Sequence, residues 1–168
     1  MSSASSPRLM ALGVFAASAI ALGTAFIAQY IFGLEPCELC LIQRIPYAMT
    51  ALLGLFGLVL PAEGVALVHL MRAAALLFLI GAVVAIHHVG VEQHWWAAVT
   101  SCSGGVPAGL SLDQLDAALD TKAPAQCDQP AWSLFGITMA GYNAIASLAL
   151  AIVAWIGSRR LAQARSAS

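Results

Sequence analysis

The sequence predicts an all-α integral membrane protein: a four-transmembrane-helix bundle with a short amphipathic interfacial helix in the loop between helices 3 and 4. Three observations predict it. Of 168 residues, 61% are hydrophobic and only 9% charged, whereas a soluble domain carries about 25% charged residues. So few charges cannot cover a surface that faces water, and a mean hydropathy of +0.87 agrees. The apolar residues also gather into long runs, and the four cysteines all fall between those runs or at their edges. The net charge of −1 says nothing about nucleic acid, but the seven basic residues are too few and too dispersed for a phosphate-binding face.

Leu9 to Phe32 is an uncharged run of 24 residues, and about 20 suffice to cross the hydrocarbon core. A cleaved signal peptide has an apolar region of about 7–15 residues, so this run is expected to be retained as helix 1 (9–32). Helix 2 is expected over 41–60, interrupted only by Gln43 and Arg44 near its start. A turn at Pro61, Glu63 and Gly64 leads to helix 3 (65–89), which ends near His87 and His88. Helix 4 is expected over 134–156, and the connections over 33–40 and 90–133, all within a single membrane domain. Proline prefers the first helical turn, so Pro46 leaves open a helix 2 that starts as late as Ile45.

In the long connection, Ser111-Leu112-Asp113-Gln114 has the form of a capping box. Leu112, Leu115 and Leu119 follow at one-face spacing, opposite Asp113, Asp116 and Asp120. That pattern suits a short helix lying on the bilayer surface, or equally a soluble helix covering the bundle top. Trp95, Trp96, Trp132 and Tyr30 fall where an interfacial aromatic belt would sit.

Orientation follows from the basic residues. Arg8, Arg72, Arg159, Arg160 and Arg165 fall on one side, which the positive-inside bias makes cytoplasmic. Both termini are then inside. Cys37, Cys40, Cys102 and Cys127 all face outward, where in a bacterium disulfides form and persist.

Cys37-Glu38-Leu39-Cys40 is a C-x-x-C pair at the mouth of helix 2. A helix N-terminus stabilises a thiolate, and thiolates carry out disulfide exchange. Half of a zinc site, or a static staple, would use the same spacing. A zinc site needs two more ligands in compact spacing, and His87, His88 and His94 offer no such pair. Haem attachment is excluded, because Leu41 rather than His follows Cys40. Arg44 stands four residues after Cys40, inside a membrane segment where an ionised group costs several kcal/mol by most estimates and marks a functional site. An interfacial arginine snorkelling to headgroups is the plain alternative. Cys102 and Cys127 lie in what reads as a mobile, exposed loop, able to close a disulfide and to reach a soluble partner.

Pro36-Cys37-Glu38-Leu39-Cys40-Leu41-Ile42-Gln43-Arg44, the loop cysteine pair, and Phe135-Gly136-Ile137-Thr138-Met139 opening helix 4 resemble the bacterial disulfide bond formation protein B (DsbB) family. The resemblance covers essentially the whole chain. It implies a protein-disulfide:quinone oxidoreductase of the bacterial inner membrane, which reoxidises a DsbA-like periplasmic thiol oxidase and passes two electrons to ubiquinone or menaquinone. It implies Cys37 and Cys40 as the membrane-proximal redox pair, and Cys102 and Cys127 as the loop pair that meets the partner. Arg44 matches the arginine at the quinone head, Met139 the pocket lining on helix 4, and His88 a histidine near the outer end of helix 3. No metal is implied. Three other readings use some of the same residues. Proteins resembling vitamin K epoxide reductases carry their C-x-x-C late in the bundle, unlike this one. A membrane scaffold with two structural disulfides would leave Arg44 dispensable. A metal-handling protein would use Cys37, Cys40 and the histidines.

Overall fold

The computed structural model describes residues 7–60, 65–97 and 125–167. Among these residues are four helices: α1 (Pro7–Tyr30), α2 (Glu38–Val59), α3 (Val65–Glu92) and α4 (Met139–Ser166). All four are long and apolar enough to cross a membrane. The protein is a multi-pass membrane protein built as a helical bundle. The Ser111–Gln114 capping box and its leucine stripe lie outside the described residues, as does Cys102.

Packing runs α1 on α2, α2 on α3 and α3 on α4. The core joins Tyr47, Leu67, Met71, Ala74, Phe78, Ala151 and Ala154. Large apolar residues point outward instead, among them Ile20, Leu52, Phe56, Val83 and Val153. Lipid is the solvent that makes this arrangement stable, since exposed apolar surface there costs nothing relative to burial. Small residues set the close approaches. Ser18 and Thr50, both fully buried, hydrogen-bond across α1 and α2 at 2.8 Å.

α2 begins at Glu38 and carries Pro46 in its interior. The late start that Pro46 left open does not occur: the helix begins three residues before the expected 41, and Cys40 and Arg44 are both helical and share a face. Pro46 has no N–H to give the Ile42 carbonyl, but the surrounding turns hold: the Gln43 side chain donates to the Leu39 carbonyl at 3.1 Å. Thr50 donates to the Pro46 carbonyl at 2.9 Å.

Three further boundaries differ from expectation, one being the end of α4, which runs past 156 to Ser166. α3 runs on to Glu92, bringing that acid into the helix four residues after His88. The segment expected to open helix 4 at Leu134 is instead a two-stranded antiparallel hairpin, β1 (Ser133–Leu134) with β2 (Ile137–Thr138). Phe135 and Gly136 between them both have positive φ, 51° and 78°, the backbone of a tight primed turn. Thr138 then caps α4, its hydroxyl accepting from the Gly141 amide at 3.1 Å.

Candidate thiol redox site

The C-x-x-C pair sits where α2 begins. Cys37 is the N-cap residue with extended backbone, and its carbonyl accepts the first helical bond from the Leu41 amide at 3.1 Å. Cys40 completes the first turn, so the two side chains converge. Both are free thiols with their sulphurs 3.3 Å apart and hydrogen-bonded. This is the dithiol state, poised to close a disulfide without moving the backbone far.

Cys127 packs against this pair with no solvent exposure. It forms one apolar cluster with Cys37, Leu39 and Val91, flanked by Cys40, Ile42 and Ala125. The expectation of an exposed cysteine on a mobile loop is therefore wrong for Cys127. Burying its apolar sulphur against Leu39 and Val91 is favourable, and it seats the residue on the membrane-proximal pair. Cys127 is itself disulfide-bonded. Cys37, His88 and Cys127 each bring one atom within 4.8 Å of the others. These are donor types that could hold a metal ion, with Cys127 in its disulfide leaving Cys37 and His88 as the free donors of the trio.

His88 is buried on α3 and faces the pair, its Nε2 3.5 Å from Cys37 Sγ. The same nitrogen lies 3.8 Å from Glu92 Oε1. Glu92 Oε2 in turn accepts from the Thr138 hydroxyl at 2.6 Å. On the other side of the ring, Nδ1 lies 2.8 Å from Gln43 Nε2. Gln43 Oε1 accepts from Asn143 Nδ2 of α4, and Asn143 Oδ1 accepts from the Tyr47 hydroxyl at 2.7 Å. A continuous polar chain thus runs from the Cys37 sulphur through α3 and α2 to α4. Each side chain along this chain has a partner, as an apolar medium demands.

Electrostatics favours an anion at Cys37. The hydrogen bond from the Cys40 thiol, with help from His88, holds the Cys37 thiol well below its usual range, at about 4, against the opposing effect of burial.

Arg44 is turned toward α1. It donates to Gln29 Oε1 at 2.6 Å, and its guanidinium carbon lies 5.0 Å above the Phe26 ring. These contacts hold the charge half-buried at the lipid edge, one turn below Cys40, beside the exposed Leu41 and Ile45. Met139 is half-buried at the first position of α4. It adjoins the Thr138 cap but stands outside the hydrogen-bonded chain. Among the aromatics, Trp96 folds back on α3, donating to the His87 carbonyl at 3.0 Å and stacking on the His87 ring. A cavity lined by Phe56, Leu60, Ala66, His69, Leu70 and Ala73 lies at the opposite end of α2 and α3, away from the thiols.

Sequence reasoning missed Glu92, Gln43, Asn143 and Thr138. Glu92 was placed in a loop, yet its i, i+4 spacing from His88 was readable once helix 3 was allowed one more turn. Gln43 was visible as a polar break in an apolar run. Its partner Asn143 is 100 residues distant in the chain, and no local pattern connects them.

Comparison with known proteins places the chain in a family. The family described as "Disulfide bond formation protein DsbB" matches residues 7–157. An uncharacterised protein of Rickettsia prowazekii is 30% identical, over 86% of this chain and 84% of its own length. Disulfide bond formation protein B 2 of Pseudomonas savastanoi is 33% identical, over 82% of this chain and 79% of its own. Disulfide bond formation protein B 1 of Pseudomonas aeruginosa is 30% identical, over 90% and 91% respectively. No solved structure matches the chain. With four membrane-spanning helices, a dithiol at the mouth of α2 and this match across most of its length, the chain belongs to the DsbB family of disulfide bond formation proteins, membrane enzymes that act on thiols.

Proposed function

We propose that this protein reoxidises a DsbA-like periplasmic thiol oxidase and passes the electrons to membrane quinone, with Cys37, Cys40, Cys102 and Cys127 as the reacting sulphurs. The observation that carries this reading is the apposition of a dithiol, Cys37 and Cys40, with the buried disulfide cysteine Cys127. A static staple would not need two free thiols beside a disulfide. Electrons can pass between the two sites by thiolate exchange alone.

The steps balance as follows. A partner thiolate attacks the loop disulfide, taken as Cys102–Cys127, at Cys102, and Cys127 leaves as thiolate. Cys127 attacks Cys37 in the oxidised Cys37–Cys40 disulfide, and Cys40 leaves. The partner's second thiolate attacks the partner sulphur of the mixed disulfide and releases Cys102 as thiolate. Cys102 then attacks Cys127 in the Cys37–Cys127 bond, the loop pair re-forms, Cys37 leaves, and Cys37 and Cys40 remain as the dithiol seen here. The Cys37 thiolate and the Cys40 thiol then close their own disulfide. Two electrons, the Cys40 proton and one solvent proton pass to the quinone substrate, which becomes quinol. No metal enters any step.

The residues around Cys40 suit a quinone. Arg44 supplies a fixed cation for a carbonyl oxygen, and the adjoining exposed apolar side chains open toward lipid. Met139 is assigned to the same pocket, and His88 to the thiol side of it. A DsbA-type partner is oxidising, at about −120 mV, so the acceptor must be comparably oxidising, and ubiquinone or menaquinone meets that need in a membrane. The cysteines then face the periplasm, both termini the cytoplasm, and the membrane is the bacterial inner membrane, as the arginine distribution supports.

The test is anaerobic quinone reduction. Purified protein in detergent receives a reduced DsbA-type partner and ubiquinone or menaquinone, with Cys40→Ser alongside. Partner-dependent quinol that disappears in the variant is expected. No quinol from the intact protein with either quinone overturns the reading.

A further inference from the structure

Gln43 and His88 are both almost fully buried, and the geometry around Gln43 leaves its amide one orientation. Its Nε2 donates one proton to the Leu39 carbonyl at 3.1 Å, and a carbonyl oxygen can only accept. Turning the amide over would set two oxygens against each other. Its Oε1 is meanwhile matched to Asn143 Nδ2. Asn143 is oriented in turn by that oxygen, which can only accept from its Nδ2, and its Oδ1 then accepts from the Tyr47 hydroxyl at 2.7 Å and from Ser147 at 3.3 Å. The remaining Gln43 proton is directed at His88 Nδ1, 2.8 Å away.

Nδ1 must therefore be the unprotonated nitrogen of the ring. The imidazole proton stands on Nε2, facing Cys37 Sγ at 3.5 Å and Glu92 Oε1 at 3.8 Å. The titratable and charged groups that face the ring are then Cys37 ahead of α2, Cys40 on α2, and Glu92 on α3. The backbone of the disulfide-bonded Cys127 completes the set. α4 contributes only the neutral Asn143 and Thr138.

We propose that Gln43 is a positioning residue that locks His88 as the Nε2–H tautomer, so that the ring donates a hydrogen bond to the Cys37 sulphur and supports its thiolate. Glu92 and the Cys127 backbone are the alternative acceptors facing the ring when Cys37 is in a disulfide and carries no charge. The lock is anchored on α4, so the packing of α4 against α2 reaches the reactivity of a thiol on the other side of the bundle. This inference rests on the thiol-exchange reading for its biological meaning. Its test uses the reduced protein alone, without partner or quinone, so it can fail while that reading stands.

Two measurements decide it. Long-range nitrogen–proton NMR correlations on histidine-labelled, reduced protein in detergent report which ring nitrogen is protonated, the His88 signal being assigned by its loss in His88→Asn. The Nε2–H form is expected at neutral pH; an Nδ1–H form or a doubly protonated ring overturns the proposal. The second measurement is the pH profile of Cys37 alkylation by iodoacetamide, resolved from Cys40 by fragmentation of the modified peptide. Gln43→Met keeps the volume and removes the lock. A hydrogen bond to a charged group is at stake, so the midpoint of that profile is expected to rise by about one pH unit or more. An unchanged midpoint in Gln43→Met overturns the proposal, and the wild-type NMR result decides the matter should that variant fail to fold.

Discussion

Thr138 joins two helices to the redox site with one hydroxyl: it donates to Glu92 Oε2 of α3 at 2.6 Å while accepting from the Gly141 amide as the cap of α4. Replacing it with valine removes both bonds at constant shape. Loss of a helix cap costs about 0.5–2 kcal/mol. Leaving a buried carboxylate without its donor costs about 1.5–3 kcal/mol more, the range for hydrogen bonds to charged groups. Thr138→Val is therefore expected to lower the thermal midpoint in detergent clearly, whereas Thr138→Ser, which keeps the hydroxyl, stays near wild type. Equal midpoints for the two variants would show that neither bond contributes.

Cys37 gives a prediction in pH. Its folded-state pKa is depressed from 9.0 to about 4, chiefly by the Cys40 thiol. Only the thiolate is nucleophilic, so alkylation of reduced protein should stay fast well below neutrality and decline with a midpoint near 4. Cys40→Ala removes the main donor and should move that midpoint upward. The linkage sign follows from a depressed pKa: the stability gained from ionising Cys37 in the fold is fully present above about pH 9, shrinks as pH falls, and is lost below about 4. Thermal midpoints of the reduced protein measured over that range, beside Cys37→Ser, test the sign directly.

Arg44 separates the quinone reading from the scaffold reading. Held by Gln29 and Phe26, it faces the lipid edge rather than the sulphurs. Arg44→Met should raise the KM for quinone by roughly tenfold or more, the value of one charge-assisted hydrogen bond. Disulfide exchange between the partner and the loop pair should keep its rate. Steady-state quinol formation across a quinone series, with stopped-flow exchange as control, measures both. Unchanged KM removes Arg44 from the quinone site.

The bundle was legible in the sequence because lipid imposes long uncharged runs, and these need no tertiary context to be seen. The dithiol was legible for a similar reason: Cys37 and Cys40 are neighbours in the chain, and a helix start explains their spacing. What failed were features settled by contacts between distant segments. Pro46 suggested a late helix start, but bonds from Gln43 and Thr50 carry α2 through it. Phe135-Gly136 reads as ordinary apolar sequence, and only its positive φ angles make a hairpin before α4. Cys127 reads as loop surface, yet its burial depends on Leu39 and Val91, which lie far away in the chain. His88 was found through family likeness, while Glu92 and Asn143, which complete its surroundings, were not.

Gly54 offers a test of how the position of α1 bears on the site. A Cβ built there would lie 2.6 Å from the Phe15 backbone nitrogen and 2.9 Å from its Cα. Backbone cannot rotate aside as a side chain can, so Gly54→Ala must push α1 and α2 apart, at about 1–3 kcal/mol for such overpacking. Gly57→Ala meets side-chain atoms, Ala11 Cβ at 2.9 Å and Leu67 Cδ1 at 3.3 Å, and should cost less. Gly13→Ala meets nothing within 4 Å and should stabilise slightly, since alanine is the better helix former by about 1 kcal/mol. The three thermal midpoints should therefore fall in the order Gly13→Ala, Gly57→Ala, Gly54→Ala, from highest to lowest. Gln29 and Phe26, which hold Arg44, ride on the same α1. Displacing that helix should raise the quinone KM in Gly54→Ala while leaving the pH profile of Cys37 alkylation unchanged, because the thiol is governed from α2, α3 and α4. A shift in both would mean that α1 reaches the sulphurs as well.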